Sequence, residues 1–288
     1  MTEAATNELR DRSIGDIIRD LRNLSADNVQ AILEYQRDKG VRFGDAAVAL
    51  GHATSDDVMV ALSQQFHYPY TPSASKELSD ELVTLKAPFT PAAEAFRAIR
   101  TRLLMRGPDA AAEPARRALA VVSPDVADGK SYFAANLAVS LAQLGRQVLL
   151  VDADMRSPRQ HELFKIENQS GLSTLLAGRS DRQSIKRIAS LPELYVMPVG
   201  GTPPNPLELV ERPAFSLLMR ELVQKFDHVV VDTPASALGS DAVAIAARCG
   251  SALVVARRGA SRLQSLADLT AALAVGATQL AGVVYNEY

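Results

Sequence analysis

Residues 119–131 read LAVVSPDVADGKS. LAVV is an unbroken apolar run of the kind that fills a strand buried on both faces, and the turn-rich SPDVAD after it stops that strand. Gly129-Lys130-Ser131 then opens a helical stretch, SYFAANLAVSLAQLG. The free N–H groups and positive dipole end of such a helix favour phosphate oxygens. The expected phosphate-binding segment is Asp128, Gly129, Lys130, Ser131 and Tyr132. Lys130 would reach the β and γ phosphates of ATP, and the Ser131 hydroxyl would ligate Mg²⁺. The general pattern G-x-x-x-x-G-K-[ST] carries glycine six residues before the lysine, where Pro124 stands. By itself the loop therefore also fits an ordinary strand-to-helix turn with a surface lysine.

Further along, VLLVDADMR places Asp152 and Asp154 at the carboxyl end of a second strand, two residues apart and so on one face. FDHVVVDTP places Asp232 at a third strand end. Carboxylates at such positions can hold Mg²⁺ through its waters or take a proton from an attacking hydroxyl, although one of them could simply cap its loop. LAVVS, QVLLVDAD, ELYVMPV, HVVVDT, ALVVAR and AGVVYN read as strands, with helices such as FSLLMRELVQKF between strand segments. This pattern predicts an α/β fold of the P-loop NTPase kind, a doubly wound and mostly parallel sheet with ligands at the carboxyl ends of its strands.

Upstream lies an internal repeat. An offset of 29 residues aligns Ile14 with Phe43, Gly15 with Gly44, Asp16 with Asp45, Leu33 with Leu62 and Gln36 with Gln65. Each copy reads as two short helices, the second capped by Ser25 or Thr54. The expected organisation is a small helical domain over 1–70, a linker over 71–88 rich in Pro, Ser and charge, and the α/β domain over 89–288. The segment AAEAFRAIRTRLLM predicts a helix with Glu94, Arg97 and Arg100 on one face. With 288 residues, 47% of them hydrophobic, and a formal net charge of −2, the chain can build packed cores and has no global drive toward nucleic acid. The local basic pairs Arg116-Arg117 and Arg257-Arg258 remain available for contacts. The single Cys249 sits in AIAARCGSALVVA, as a core thiol would, and a cytoplasmic location is expected in the absence of a signal sequence or long apolar run. Four scattered histidines show no metal spacing, and His161 and His228 read as surface residues.

LVDADMRSP resembles the extra Walker motif of bacterial tyrosine kinases, GTPPNPLELV their signature segment ahead of the third acidic strand, and EAFRAIR their E-x-x-R-x-x-R helix. The resemblance covers about Pro88 to Tyr288 and is nearest to the tyrosine autokinases that determine exopolysaccharide chain length. It implies an ATP-dependent protein tyrosine autokinase that regulates exopolysaccharide polymerisation, chain length and export. Such a chain would lie peripherally at the inner membrane through its activator, a membrane polysaccharide co-polymerase. By the same resemblance Lys130 and Ser131 bind ATP and Mg²⁺, Asp152 is the base, Asp154 and Asp232 support the metal, and Arg156 completes the motif. Glu94, Arg97 and Arg100 would lie at a contact between subunits of a homo-oligomer. VADGKS replaces the family's P-G-E-G-K-S, so Ala127 stands where glycine would take positive φ without cost. Of the C-terminal tyrosine cluster only Tyr285 and Tyr288 remain. Tyr285 is expected to pack within a strand, leaving Tyr288 as the better phosphoacceptor. The repeat resembles the N-terminal domain of type II secretion ATPases, which implies a candidate cyclic di-GMP site at Arg42, Gly44, Gly51 and Gln65, or else a structural adaptor. Two rival functions follow: a deviant Walker ATPase switch without tyrosine phosphorylation, and a cyclic di-GMP sensor with a degenerate kinase domain.

Overall fold

The computed structural model describes residues 12–65, 77–105, 118–179 and 183–287. The chain divides into two compact units, Met1–Ser75 and Lys76–Tyr288. In the first, α1 (Ile14–Arg22), α2 (Ala26–Lys39), α3 (Phe43–Ala49) and α4 (Ser55–Gln65) reproduce the sequence repeat as two helix pairs. Ser25 Oγ accepts the Asn28 N–H at 3.2 Å. Thr54 Oγ1 accepts the Asp57 N–H at 3.3 Å while the Asp57 carboxylate accepts the Thr54 N–H at 2.6 Å, a reciprocal cap that satisfies two otherwise orphaned donors. Ile17, Ile18, Ile32, Ala46, Ala47 and Ala61 form the core. A Cβ on Gly44 would stand 2.7 Å from Val58 Cγ1, so glycine is what lets α3 lie against α4.

The second unit begins with α5 (Val83–Lys86) and α6 (Pro91–Met105), followed by β1 (Ala118–Val122), α7 (Lys130–Ala142), β2 (Val148–Asp152), α8 (Gln160–Leu163) and α9 (Leu172–Leu176). It continues through β3 (Lys186–Arg187), β4 (Leu194–Met197), α10 (Pro206–Glu211), α11 (Pro213–Lys225), β5 (His228–Asp232), α12 (Asp241–Cys249), β6 (Gly250–Arg257), α13 (Leu263–Val275) and β7 (Gln279–Asn286). The seven strands lie in the order β3-β4-β2-β5-β1-β6-β7. Every pairing is parallel except β3 with β4. Strand residues alternate between two cores: Leu149, Val151, Val229 and Val231 face one layer, and Val148, Leu150 and Val230 the other. Continuous Val/Leu runs are therefore apolar on both faces because helices cover both. Cys249 is buried, which pushes its thiol up to about 12.

The linker expected over 71–88 is shorter than its composition suggested. Leu82 and Leu85 are buried in the core beneath α7. The Thr84 N–H and hydroxyl both donate to Asn136 Oδ1, at 3.0 and 2.9 Å, and Asn136 Nδ2 donates to the Glu81 carbonyl at 2.8 Å. A segment this short shows no periodicity, yet two buried hydrogen bonds, a partly buried third and two leucines anchor it to α7. The strand β3 was also not anticipated, since Lys186-Arg187 carries no strand signal and owes its form to pairing with β4.

Candidate nucleotide and phosphotransfer site

The loop after β1 is built by its own side chains. Ser123 Oγ donates to the Asp125 carbonyl at 2.8 Å. Ala127 adopts φ of 65°, the left-handed conformation in which the sequence lacks the expected glycine, and Gly129 adopts φ of 95°. The buried Asp128 carboxylate accepts the Asp125 N–H at 2.9 Å and the Ser261 hydroxyl at 2.9 Å. Arg257 Nη1 donates to the Ala127 carbonyl at 3.2 Å, and Asn286 Nδ2 donates to the Asp128 carbonyl at 3.0 Å. A Cβ on Gly129 would meet Asn286 Nδ2 at 2.3 Å, so the end of β7 presses on the loop there. The Asp128 side chain thus shapes the loop and leaves its backbone to face a ligand.

Lys130, Ser131 and Tyr132 begin α7 and, with Ala127, Gly129, Asp154, Arg159 and Arg257, line a cavity of about 270 Å³. Glu81 also lines it and pairs with Arg159 at 2.6 Å. Lys130 is only 6% exposed. A buried ammonium at the amino end of a helix provides a fixed positive charge where phosphates would lie.

The three aspartates take different parts. Asp152 and Asp232 are partners in register on adjacent strands and are fully buried. Burial, then the charge of Asp232, holds the Asp152 carboxyl well above the usual carboxylate range. Burial likewise raises Asp232, to about 6, against the opposing pull of contacts from Gln160, Ser131 and Lys130. Asp152 is occupied on both oxygens, Oδ1 by the Asp154 N–H at 3.1 Å and Oδ2 by the N–H groups of Arg159 and Gln160 at 3.1 and 3.0 Å. Neither Asp152 nor Asp232 lines the cavity; both lie beneath it at the strand ends. Asp154 does line it, with Oδ1 accepting the N–H groups of Arg156 and Ser157 at 3.1 and 2.8 Å. Asp232 Oδ1 is buried and accepts no hydrogen bond. An acceptor left in that state is costly unless a donor such as a metal-bound water completes it, so Ser131, Asp154 and Asp232 fit Mg²⁺. Among the described residues no three His, Cys, Asp or Glu side chains gather into a metal cage. Mg²⁺ needs none, because it keeps waters and takes phosphate oxygens.

Other expected residues lie elsewhere. Arg156 makes a bidentate pair with the buried Asp241, its Nη2 at 2.9 Å from Oδ2, and does not line the cavity. The pair ties the turn after β2 to the start of α12. Within GTPPNPLELV, Leu209 and Val210 are core residues of α10. Glu94 and Arg97 pair at 2.7 Å on α6, whereas Arg100 Nη1 donates to the Ser140 carbonyl at 2.6 Å and so is committed within the chain. Tyr285 is 59% exposed, contrary to the packed ring expected, because β7 is the edge of the sheet. Tyr288 lies outside the described residues, as do Arg116 and Arg117. In the first unit Arg42 is exposed at the start of α3, Gly51 has φ of 72°, and Gln65 Oε1 is buried without a partner. Gly44 is filled by Val58 and offers no approach for a base, and the pocket beside Gln36 and Gly40 contains none of the four residues. Gln160, Asp241, Ser261 and Asn286 were not anticipated. Each acts through a contact between segments far apart in sequence.

Residues 119–288 match the CobQ/CobB/MinD/ParA nucleotide binding domain family. The tyrosine-protein kinase CpsD of Streptococcus agalactiae is 31% identical over 195 residues, which is 67% of this chain and 82% of CpsD. The chain belongs to the bacterial tyrosine kinase family. The putative tyrosine-protein kinase CapB of Staphylococcus aureus is 38% identical over 141 residues, 49% of this chain and 60% of CapB. The chain thus spans less than two thirds of CapB's length. The kinase domain of the Escherichia coli tyrosine kinase ETK superposes with a TM-score of 0.66 at 30% identity, over 71% of this chain and 79% of that domain. No helix among the described residues of this family member is long and apolar enough to cross a membrane.

Proposed function

We propose that this chain transfers the γ-phosphoryl group of ATP to tyrosine hydroxyls, its own included, and thereby regulates exopolysaccharide polymerisation, chain length and export. The observation that carries the reading is the convergence of Lys130, Ser131 and Asp154 on one cavity at the carboxyl ends of β1 and β2. The loop backbone and Lys130 bind and orient the phosphates, and Ser131, Asp154 and Asp232 hold Mg²⁺, which when bound neutralises charge developing on the β and γ oxygens. The tyrosine oxygen forms a bond to the γ phosphorus as the bond from phosphorus to the β–γ bridging oxygen breaks. That electron pair leaves with ADP, and the phenolic proton passes to Asp152, the first carboxylate of the DAD turn, which leaves Asp154 to the metal. Asp152 holds the turn that carries Asp154, through its bonds to the N–H groups of residues 154, 159 and 160.

Tyr285, exposed on the sheet edge, is an acceptor alongside Tyr288. Glu94 and Arg97, at the surface of α6, are the groups offered to a neighbouring subunit. A membrane polysaccharide co-polymerase is the activator and holds the chain at the cytoplasmic face of the inner membrane, while the first unit serves as an adaptor. Incubation with γ-labelled ATP and Mg²⁺ tests the reaction: label is expected on tyrosine and lost in Lys130→Ala. Release of free phosphate without label on tyrosine overturns it in favour of an ATPase switch.

A further inference from the structure

Gln160 is buried at the first position of α8, two residues beyond the LVDADMRSP segment, and it touches three of the site's segments. Its N–H donates to Asp152 Oδ2 at 3.0 Å. Its side-chain Nε2 donates to Asp232 Oδ2 at 2.8 Å and to the Ser131 carbonyl at 3.1 Å. Its Oε1 is buried and has no partner, as is Asp232 Oδ1. One residue therefore spans three segments, its backbone N–H reaching the end of β2 and its side-chain amide the end of β5 and the first turn of α7.

A carboxylate at a strand end can rotate about its Cα–Cβ and Cβ–Cγ bonds, and a rotated Asp232 could pair with a neighbouring donor instead of facing a cation. The Gln160 amide takes one of its oxygens into a charge-assisted hydrogen bond and leaves the other as a buried acceptor with nothing to satisfy it. The same nitrogen grips the carbonyl of Ser131, whose hydroxyl is a metal ligand in the reading above. We propose that Gln160 is a positioning residue for the divalent-cation site: it fixes Asp232 and the Ser131 backbone in the arrangement that receives Mg²⁺ with the nucleotide. The inference rests on that reading of the site. Packing alone does not explain Gln160, since an apolar side chain of equal length would fill the same volume without leaving Oε1 unpaired.

Gln160→Met keeps the length and the N–H bond to Asp152 while removing both Nε2 bonds. The Mg²⁺ dependence of nucleotide binding is read by titrating Mg²⁺ into full-length protein with a fluorescent ADP analogue, with binding in EDTA as the reference. The expected result is a Mg²⁺ midpoint about tenfold higher in Gln160→Met, the size of one lost hydrogen bond to a charged group, with affinity in EDTA unchanged. Gln160→Asn, which keeps an amide of shorter reach, is expected to shift the midpoint less and in the same direction. A thermal melt of each variant identifies one that does not fold. The coupling is checked in an Asp232→Asn background, where Gln160→Met is expected to move the midpoint no further. An unchanged midpoint in either folded variant, or equal losses of affinity with and without Mg²⁺, overturns the inference. Wild type that shows no Mg²⁺-dependent nucleotide binding fails at the earlier step and overturns the nucleotide reading itself.

Discussion

Ala127→Gly should stabilise the protein, although it replaces a better-ordered residue with the most flexible one. Ala127 holds φ of 65° in the phosphate-binding loop with its methyl group exposed to solvent. A left-handed conformation costs an L-residue about 1–2 kcal/mol, and the lost methyl makes no buried contact to set against that gain. Glycine gives back about 0.5–1 kcal/mol through the greater freedom of its unfolded chain. The difference is about 0.5–1 kcal/mol in favour of glycine, which for a unit of this size raises the melting midpoint by about 2 °C. Differential scanning calorimetry of nucleotide-free protein reads it directly. Ala177→Gly supplies the control, because Ala177 is also exposed but sits at φ of −78° after α9, where only the entropy loss applies and the midpoint should fall. A fall of the midpoint in Ala127→Gly equal to that in Ala177→Gly would show that the loop does not hold Ala127 in the left-handed region, and the strain argument would be wrong.

Stability of the nucleotide-free protein should decline as pH rises from about 4 to 6. Asp232 is raised from 3.8 to about 6, so the native state keeps a proton over that window which the unfolded chain has released, at a cost on the order of 3 kcal/mol once both are ionised. Asp152 is raised in the same direction, and Mg²⁺ with ADP should flatten the decline by favouring the ionised forms; urea midpoints at pH 4.5 and 7 check both. Arg156→Ala leaves Asp241 buried without its cation, and because the arginine is itself 34% exposed the expected loss falls below the roughly 3–5 kcal/mol of a fully buried pair, at about 2 kcal/mol. Removing both partners in Arg156→Ala/Asp241→Ala should recover part of it in a denaturation series. Gly44→Ala drives a methyl to within 2.7 Å of Val58 Cγ1. After the helix-propensity gain of alanine the first unit should lose about 1 kcal/mol, visible as a lower calorimetric transition for that unit with the other unmoved.

The parallel sheet was legible because burial on both faces leaves strands no polar positions, and Val148–Val151 or Val229–Val231 can hardly be read otherwise. The acid-bearing strand ends and the Lys130-Ser131 turn were legible for a related reason, since charged groups directly after apolar runs mark where the sheet meets its ligand. The strain at Ala127 was visible as a missing glycine. What sequence hid depends on partners distant along the chain. Two aspartates in DAD look equivalent, yet Asp152 turns into the backbone of 154–160 and Asp154 toward the cavity. Arg156 looks like a ligand-binding cation until Asp241, from another helix, is placed beside it. Tyr285 looks buried in GVVYN, and only the position of β7 at the sheet edge exposes its ring. Leu82 and Leu85 lie in a stretch whose average composition masks two anchors.

The strand order has a bearing on how this site comes into being. β1 and β2 follow each other in the chain but never pair, because β5 lies between them. Asp152 and the Lys130 loop are therefore brought into register only when a strand beginning at His228 slots into the gap. A nascent chain that has emerged through α9 carries the loop and both residues of the DAD motif, yet has no assembled floor on which to hold a phosphate. Nucleotide binding is therefore expected only after the central strand has been inserted, and ligand stabilises only chains that have reached that state.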